Sequence, residues 1–212
     1  MRVIETTIYR FSELSEEAKE KAIDKWRDNS QGLFSWKNEA SDTLNAFCKI
    51  FDVKYNTIDY LETYRNKYRI NLPDEVKNLS GIRLAAYLWN NYKNELYKGK
   101  FYSVRSDKIM NHNRVKSKVL SNGKIFNAYY SAITLEHSCV LTGMCYDDNI
   151  LDPIYEFMKR PYNTGIDELI NDCISSFCKA VASDIEYEYS DKCIIETIEI
   201  NDYEFTENGD LV

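Results

Sequence analysis

The sequence feature that most constrains the fold is a long apolar stripe of helical period in the C-terminal third. Its members recur at intervals of three and four residues: Ile166, Leu169, Ile170, Cys173, Ile174, Phe177, Ala180, Val181 and Ile185. This spacing places every member on one face of an α-helix. Because Thr164 offers an N-cap, the pattern predicts a long helix from there to about Tyr189, with its apolar face in a core.

Shorter stripes of the same period predict further helices. They cover residues 16–29, 34–50, 81 to about 97, a segment that starts at Asp152-Pro153, and 190 to about 201. Ser15 and Ser190 supply N-caps for the first and last of these helices. The predicted inner face of the 34–50 helix consists of Trp36, Ala40, Leu44, Phe47, Cys48 and Phe51.

Strand signals are shorter and lie between the helices. Alternating β-branched and aromatic residues predict a strand over 2–10, extended chain within 51–72, a hairpin around Asn122-Gly123 and a closing strand from Tyr203. Only seven glycines and three prolines are present, which disfavours a turn-dense all-β fold. We predict one α+β domain over 1–212, with helices packed on an antiparallel sheet that involves both termini and a basic hairpin region at about 98–128.

The charge is unevenly distributed along the chain. The net charge is −7, yet residues 98–124 hold eight basic side chains against one acid, so the rest of the chain carries −14. Two interpretations of the basic segment remain open. It is a solvated hairpin whose lysines protect sheet edges, or it is a strip that binds a phosphate-bearing ligand. The candidate ligand-binding residues are Arg105, Arg114, Lys116, Lys118 and Lys124.

Several kinds of site lack their usual signals. The sequence shows no signal peptide and no apolar run long enough to cross a membrane, so we expect a cytoplasmic protein with no membrane partner. We expect all six cysteines to be free thiols. The order of His137, Cys139 and Cys145 matches no zinc motif, and no nucleotide-binding or serine-hydrolase motif is present, so we predict no metal, no cofactor and no catalytic residues.

The two ends of the chain carry distinctive motifs. The N-terminal stretch is Tyr9 to Ala22, YRFSELSEEAKEKA, and the C-terminal one runs from Tyr189-Ser190-Asp191 through Asn201 to Gly209, NDYEFTENG. Both stretches resemble a diffuse family of small bacteriophage and prophage accessory proteins. Leu141-Thr142-Gly143, with Asp147-Asp148 and Phe157, is similar to the same pattern, whereas residues 52–128 are not. These motifs are structural, a strand leading into a capped helix and a helix leading into a closing strand, so no catalytic residue is carried over.

The resemblance implies an accessory protein of a mobile element that inhibits a host defence system by binding. Together with the acidic charge, it suggests that acidic faces compete with nucleic acid for the basic groove of a defence protein, such as a Cas nuclease. The candidate acidic surface comprises Asp147, Asp148, Glu186 and Glu188. Two alternatives remain: a module that sequesters a nucleotide or nucleic acid through the basic hairpin, and a nucleotide-processing enzyme that uses His137, Asp147 and Asp148. The sequence does not indicate the oligomeric state.

Overall fold

The computed structural model describes residues 7–29, 35–63, 66–97 and 139–212, together with the backbone of four short strands between 102 and 132. The helices, besides a 3₁₀ turn at Phe11–Glu13, are α1 (Glu16–Asn29), α2 (Lys37–Ile50), α3 (Asp74–Lys77), α4 (Gly81–Leu96), α5 (Tyr146–Lys159), α6 (Ile166–Glu188) and α7 (Asp191–Ile200). The strands are β1 (Tyr9–Arg10), β2 (Val53–Tyr55), β3 (Tyr68–Ile70), β4 (Tyr102–Val104), β5 (Ser117–Val119), β6 (Ile125–Asn127), β7 (Tyr130–Ala132) and β8 (Glu204–Phe205).

The larger of two hydrophobic cores, the central core, is organised around α6. The α5 and α6 helices form the most extensive helix pair, with α2 and α4 packed on α5 and α3 packed on α6. The predicted stripe of α6 is buried along its length, with only Ala180 and Ile185 partly exposed. None of the helices that the structure describes combines the length and the apolar character needed to span a membrane.

The smaller core, the terminal core, joins the two ends of the chain. Its buried residues are Phe11, Leu14, Ala18, Ala22, Ile194, Ile198 and Phe205. Strand β1 pairs antiparallel with β8, so that Tyr9 lies opposite Phe205. The edge of one ring meets the face of the other where Phe11 packs on Phe205, with ring centroids 6.0 Å apart. The prediction that both ends form one structural unit is therefore confirmed.

A single glycine lets the C-terminal loop close on α1. Gly209 has φ +79°, a backbone conformation that side-chain-bearing residues rarely adopt. A Cβ atom at this position would overlap the carbonyl oxygen of Ala18. An ion pair between Lys25 and Asp210 lies next to this contact. The close approach explains why the short turn after β8 contains glycine.

The strands form two-stranded antiparallel ladders, which confirms the α+β class. The pairs are β1–β8, β2–β3, β4–β7 and β5–β6. In the β5–β6 ladder Val119 lies opposite Ile125, as expected for strands that flank a turn at Asn122-Gly123. Most buried residues of the central core belong to helices.

The start of α5 differs from the prediction. The sequence suggests that Asp152 caps this helix, yet α5 begins at Tyr146 and contains Pro153 in its interior. A proline inside a helix removes a backbone hydrogen bond and costs about 3 kcal/mol. Here Ile150, Leu151 and Ile154 are all fully buried on the proline-containing stretch. Their packing against the core outweighs the local penalty, which no local pattern reveals.

Candidate functional site

A cleft of about 510 Å³ lies where the central core meets α7. Its walls come from the start of α2, the loop that leads into α5, the last turns of α6 and the first turn of α7. It therefore combines residues that are far apart in the sequence. Two other described cavities also combine large apolar side chains with two carboxylates, but both include basic residues in their lining, whereas this cleft does not.

Three large apolar side chains line this cleft while remaining in contact with solvent. Trp36 is 53% exposed, Tyr187 is 52% exposed and Met144 is 42% exposed. Exposed apolar side chains that cluster in a concavity are typical of binding sites, whereas isolated ones are ordinary surface features. The three residues thus form the apolar part of a candidate binding site.

The exposure of Trp36 corrects the prediction that it belongs to the inner face of α2. The other predicted members of that face, Ala40, Leu44, Phe47, Cys48 and Phe51, are buried. Trp36 precedes the first helical residue and has φ −99° and ψ 21°, so its side chain does not follow the periodicity of the helix. Because Trp36 lies one residue before the start of α2, its indole ring lies in the cleft and not in the core.

Three acidic side chains, Glu39, Asp184 and Glu188, line the same cleft. No lysine, arginine or histidine is among its lining residues in the described part of the chain. The ion pairs found elsewhere on the described surface do not involve these three carboxylates. The cleft therefore carries a negative charge that no neighbouring cation of its own walls neutralises.

Two of these carboxylates are held in place by one oxygen each. The Tyr146 hydroxyl donates to Oδ2 of Asp184 at 2.6 Å, and the backbone N–H of Ser35 donates to Oε2 of Glu188 at 3.2 Å. Burial and this hydrogen bond to Asp184 raise the pKa of Tyr146, so its hydroxyl keeps its proton at neutral pH. Among the described residues no hydrogen bond reaches the second oxygen of either carboxylate.

The wall next to these groups is fixed by the buried carboxylate of Asp147. Its Oδ2 accepts the backbone N–H groups of Leu141, Thr142 and Gly143 at 2.7–3.0 Å. Its Oδ1 accepts the hydroxyls of Thr142 at 2.8 Å and Thr43 at 3.0 Å. These five bonds hold the loop that carries Met144 against α2.

The sequence suggested that Asp147 belongs to an exposed acidic surface, and this prediction is wrong. Its side chain is fully buried and its role is structural. A carboxylate with five donors satisfies a buried loop that would otherwise leave backbone groups unpaired. The sequence signal for this role is the Leu141-Thr142-Gly143 turn, which lies a few residues before Asp147. The charge distribution along the chain does not reveal it.

The other predicted acidic residues have different positions. Glu188 lines the cleft, Glu186 is exposed on α6 outside it, and Asp148 is exposed and accepts the backbone N–H of Cys139 at 3.3 Å. Sequence reasoning missed Glu39 and Asp184. The backbone alone is described for Lys118, which lies opposite Phe126 in β6. The remaining basic candidates and one histidine lie outside the described residues: Arg105, Arg114, Lys116, Lys124 and His137.

The cysteines divide into buried and accessible thiols, and all six are free. Burial raises the pKa of Cys48 to about 12 and that of Cys178 to about 11, and it also raises the pKa of Cys173. These thiols are inert members of the central core. Cys145 and Cys193 line the cleft. Within the described residues there is no group of three potential metal ligands.

The cleft has the chemistry of a binding site for a cation with an apolar portion. Aromatic faces attract cations through their negative quadrupole, and carboxylates add direct charge attraction. Its lining residues within the described chain do not include a histidine that could activate the thiol of Cys145 or Cys193. Comparisons with family models, with curated proteins and with solved structures found no match for this chain.

Proposed function

We propose that this chain is a non-enzymatic binding protein whose cleft receives a basic segment of a partner protein. The observation that carries the proposal is the combination of three exposed apolar side chains with three carboxylates that no cation of the cleft wall neutralises. Such a surface attracts a cationic partner over a distance and then buries apolar area on contact. Nucleic acid is disfavoured as a ligand of the cleft, because the three carboxylates would repel its phosphates.

The partner class that we propose is a host defence protein with a basic nucleic-acid-binding groove, such as a Cas nuclease. Two observations support this choice. The chain carries −14 outside residues 98–124, and its ends, 9–22 and 201–209, resemble bacteriophage accessory proteins. Occupation of such a groove by an acidic protein would exclude the nucleic acid, so inhibition would require no catalysis.

The test is binding to purified Cas effector complexes, measured by calorimetry with and without target DNA. Wild-type protein should bind in competition with DNA, and its affinity should fall with added salt. The cleft variant Glu39→Gln/Asp184→Asn/Glu188→Gln should bind roughly 10- to 100-fold more weakly, as expected for the loss of interfacial charge pairs.

The matched control is Glu186→Gln/Glu199→Gln/Glu207→Gln, which removes the same charge from exposed positions outside the cleft. It should retain most of the affinity. Equal losses in the two triple variants would mean that overall charge, and not the cleft, drives binding. Absence of binding by the wild-type protein would overturn the proposal.

The two alternative functions rest on other residues. Sequestration of a nucleotide depends on the basic hairpin and stays a prediction, which replacement of Arg114, Lys116 and Lys118 with Ala would test. Nucleotide processing with Asp147 as a catalytic base is disfavoured, because the five donors around that carboxylate occupy it.

A further inference from the structure

We infer that the cleft recognises an arginine side chain of the partner, in preference to lysine. This inference rests on the proposed function and specifies its ligand. Arginine and lysine carry the same charge, but they differ in donor geometry and in hydration. The carboxylates of the cleft favour arginine through its donor geometry, and the aromatic rings favour it through its weaker hydration.

Two carboxylates of the cleft are spaced to suit a planar donor group. Asp184 and Glu188 are four residues apart on α6, and side chains at this spacing are neighbours with Cβ atoms about 5–6 Å apart. Tyr146 and Ser35 each donate to one oxygen of these carboxylates, and no hydrogen bond among the described residues reaches the other oxygen. Two separated acceptors suit a guanidinium, whose five N–H groups point outward in a rigid plane. An ammonium group concentrates its three donors at one point.

Apolar surface lies beside these acceptors in the cleft lining. The side chains of Trp36 and Tyr187 are about half exposed, and Met144 lies in the same lining. A guanidinium is weakly hydrated and stacks on aromatic faces, whereas an ammonium is strongly hydrated and loses more on leaving water. The aliphatic stem of the arginine would cover the thioether of Met144.

Both acceptors already have a hydrogen-bond partner that orients them before any ligand binds. The Tyr146 hydroxyl donates to Asp184, and the backbone N–H of Ser35 donates to Glu188. A bidentate donor gains most from acceptors that are already oriented, because less side-chain freedom is lost on binding. Tyr146 is therefore a positioning residue for arginine.

The experiment uses three peptides, Ser-Leu-Xaa-Leu-Ser with blocked ends, where Xaa is arginine, lysine or citrulline. Citrulline keeps the shape of arginine without its charge. Binding to the full chain is followed through the NMR signal of the Trp36 indole N–H, which is assigned with the Trp36→Phe variant. The arginine peptide should bind about five-fold or more tightly than the lysine peptide, and the citrulline peptide should not bind measurably.

The Tyr146→Phe variant adds a second readout. It removes only the hydroxyl that orients Asp184, so it should reduce the arginine preference while the lysine peptide keeps its affinity. An unchanged preference in a folded Tyr146→Phe protein would overturn the positioning role. Equal affinities for the arginine and lysine peptides would overturn the arginine inference and leave the proposed function standing. Absence of binding by both cationic peptides at millimolar concentration would overturn both.

Discussion

The two hydrophobic cores of this protein are built in different ways. The central core joins several long helices and buries large side chains such as Phe47, Phe157 and Phe177. The terminal core has seven buried residues, two of which are alanines. A core of that size depends on close backbone approach at a few positions, whereas the central core depends on volume. The difference implies that the terminal core is less stable against unfolding than the central core. It also implies that adding or removing a single atom changes the stability of the terminal core more.

The cores meet at the junction between α6 and α7. Arg27 of α1 donates from Nε to the backbone oxygen of Tyr189 at 3.2 Å and forms ion pairs with Asp24 and Asp191. The Ser190 hydroxyl caps α7 by accepting the N–H of Cys193 at 3.3 Å. The cleft lies beside this junction, so its shape depends on how the terminal core docks.

The three tryptophans provide separate probes for these regions. Trp26 packs in the terminal core with its ring centroid 5.0 Å from that of Tyr203, and Trp89 packs against the central core. Trp36 lies in the cleft. Proteins that retain only Trp26 or only Trp89, with phenylalanine at the other two positions, report the unfolding of each core by fluorescence.

The largest effect is expected from the same truncation in each core. Phe177 and Phe205 are both almost fully buried, and replacing either with Ala should cost about 3–5 kcal/mol through lost burial and the cavity that remains. Phe177→Ala should lower the urea midpoint at both probes, because the terminal core docks on the helix it weakens. Phe205→Ala should lower the midpoint at Trp26 and leave the one at Trp89 close to the wild-type value.

A parallel shift of both probes in Phe205→Ala would show that the two cores unfold as one cooperative unit. The two cores would then have one common free energy of unfolding, and neither could be called the weaker. Amide hydrogen exchange gives an independent check, since Phe205→Ala should expose the amides of α1 while those of α5 stay protected.

A smaller effect is expected at Gly209, where the terminal core approaches the backbone of α1. Gly209→Ala should cost about 2–3 kcal/mol at the Trp26 probe, because strain at positive φ adds to overlap with the Ala18 carbonyl. Gly143→Ala is the matched control, since Gly143 also has positive φ, +93°, but open space around it. The control should lose roughly 1 kcal/mol. Equal losses of stability in the two variants would mean that positive φ alone accounts for the effect of Gly209→Ala and that the contact with the Ala18 carbonyl contributes nothing.

The smallest effect per group is expected from alkaline pH and should be confined to the central core. The thiols of Cys48, Cys173 and Cys178 lie there, and burial raises the pKa of all three from an ordinary value of 9.0, to about 12 for Cys48 and about 11 for Cys178. Above pH 9 the unfolded chain loses these protons while the native chain keeps them, so stability falls as pH rises. At pH 10 the loss is about 1 kcal/mol per thiol.

Urea unfolding at pH 8 and pH 10, in the presence of a reductant, measures this loss. The midpoint at Trp89 should fall with pH in the wild-type background. Cys48→Ala/Cys178→Ala should start from a lower stability at pH 8 but show a shallower pH dependence. An equally steep dependence in that variant would assign the effect to other groups.

Much of the fold follows from local patterns, and the site does not. The stripes and serine caps predict α1 and α7 almost to the residue, because periodicity and capping act within a few positions. The stripe also predicts α6, but the N-cap is Gly165 and not Thr164, whose hydroxyl donates to Glu168 instead. The early start of α5 and the outward position of Trp36 depend on tertiary packing. Glu39 and Asp184 meet only because α2 and α6 both pack around α5, so no sequence window contains both.

The pairing of β1 with β8 also has a consequence for the order of folding. Closing the whole chain between Tyr9 and Phe205 in one step would carry a large loss of loop entropy. Once the central core has formed, only the short connections from α2 to α1 and from α6 to α7 remain to be ordered. During synthesis α1 leaves the ribosome long before its partners exist. Its apolar face, with Ala18, Ala22 and Trp26, therefore stays uncovered until the last helix emerges.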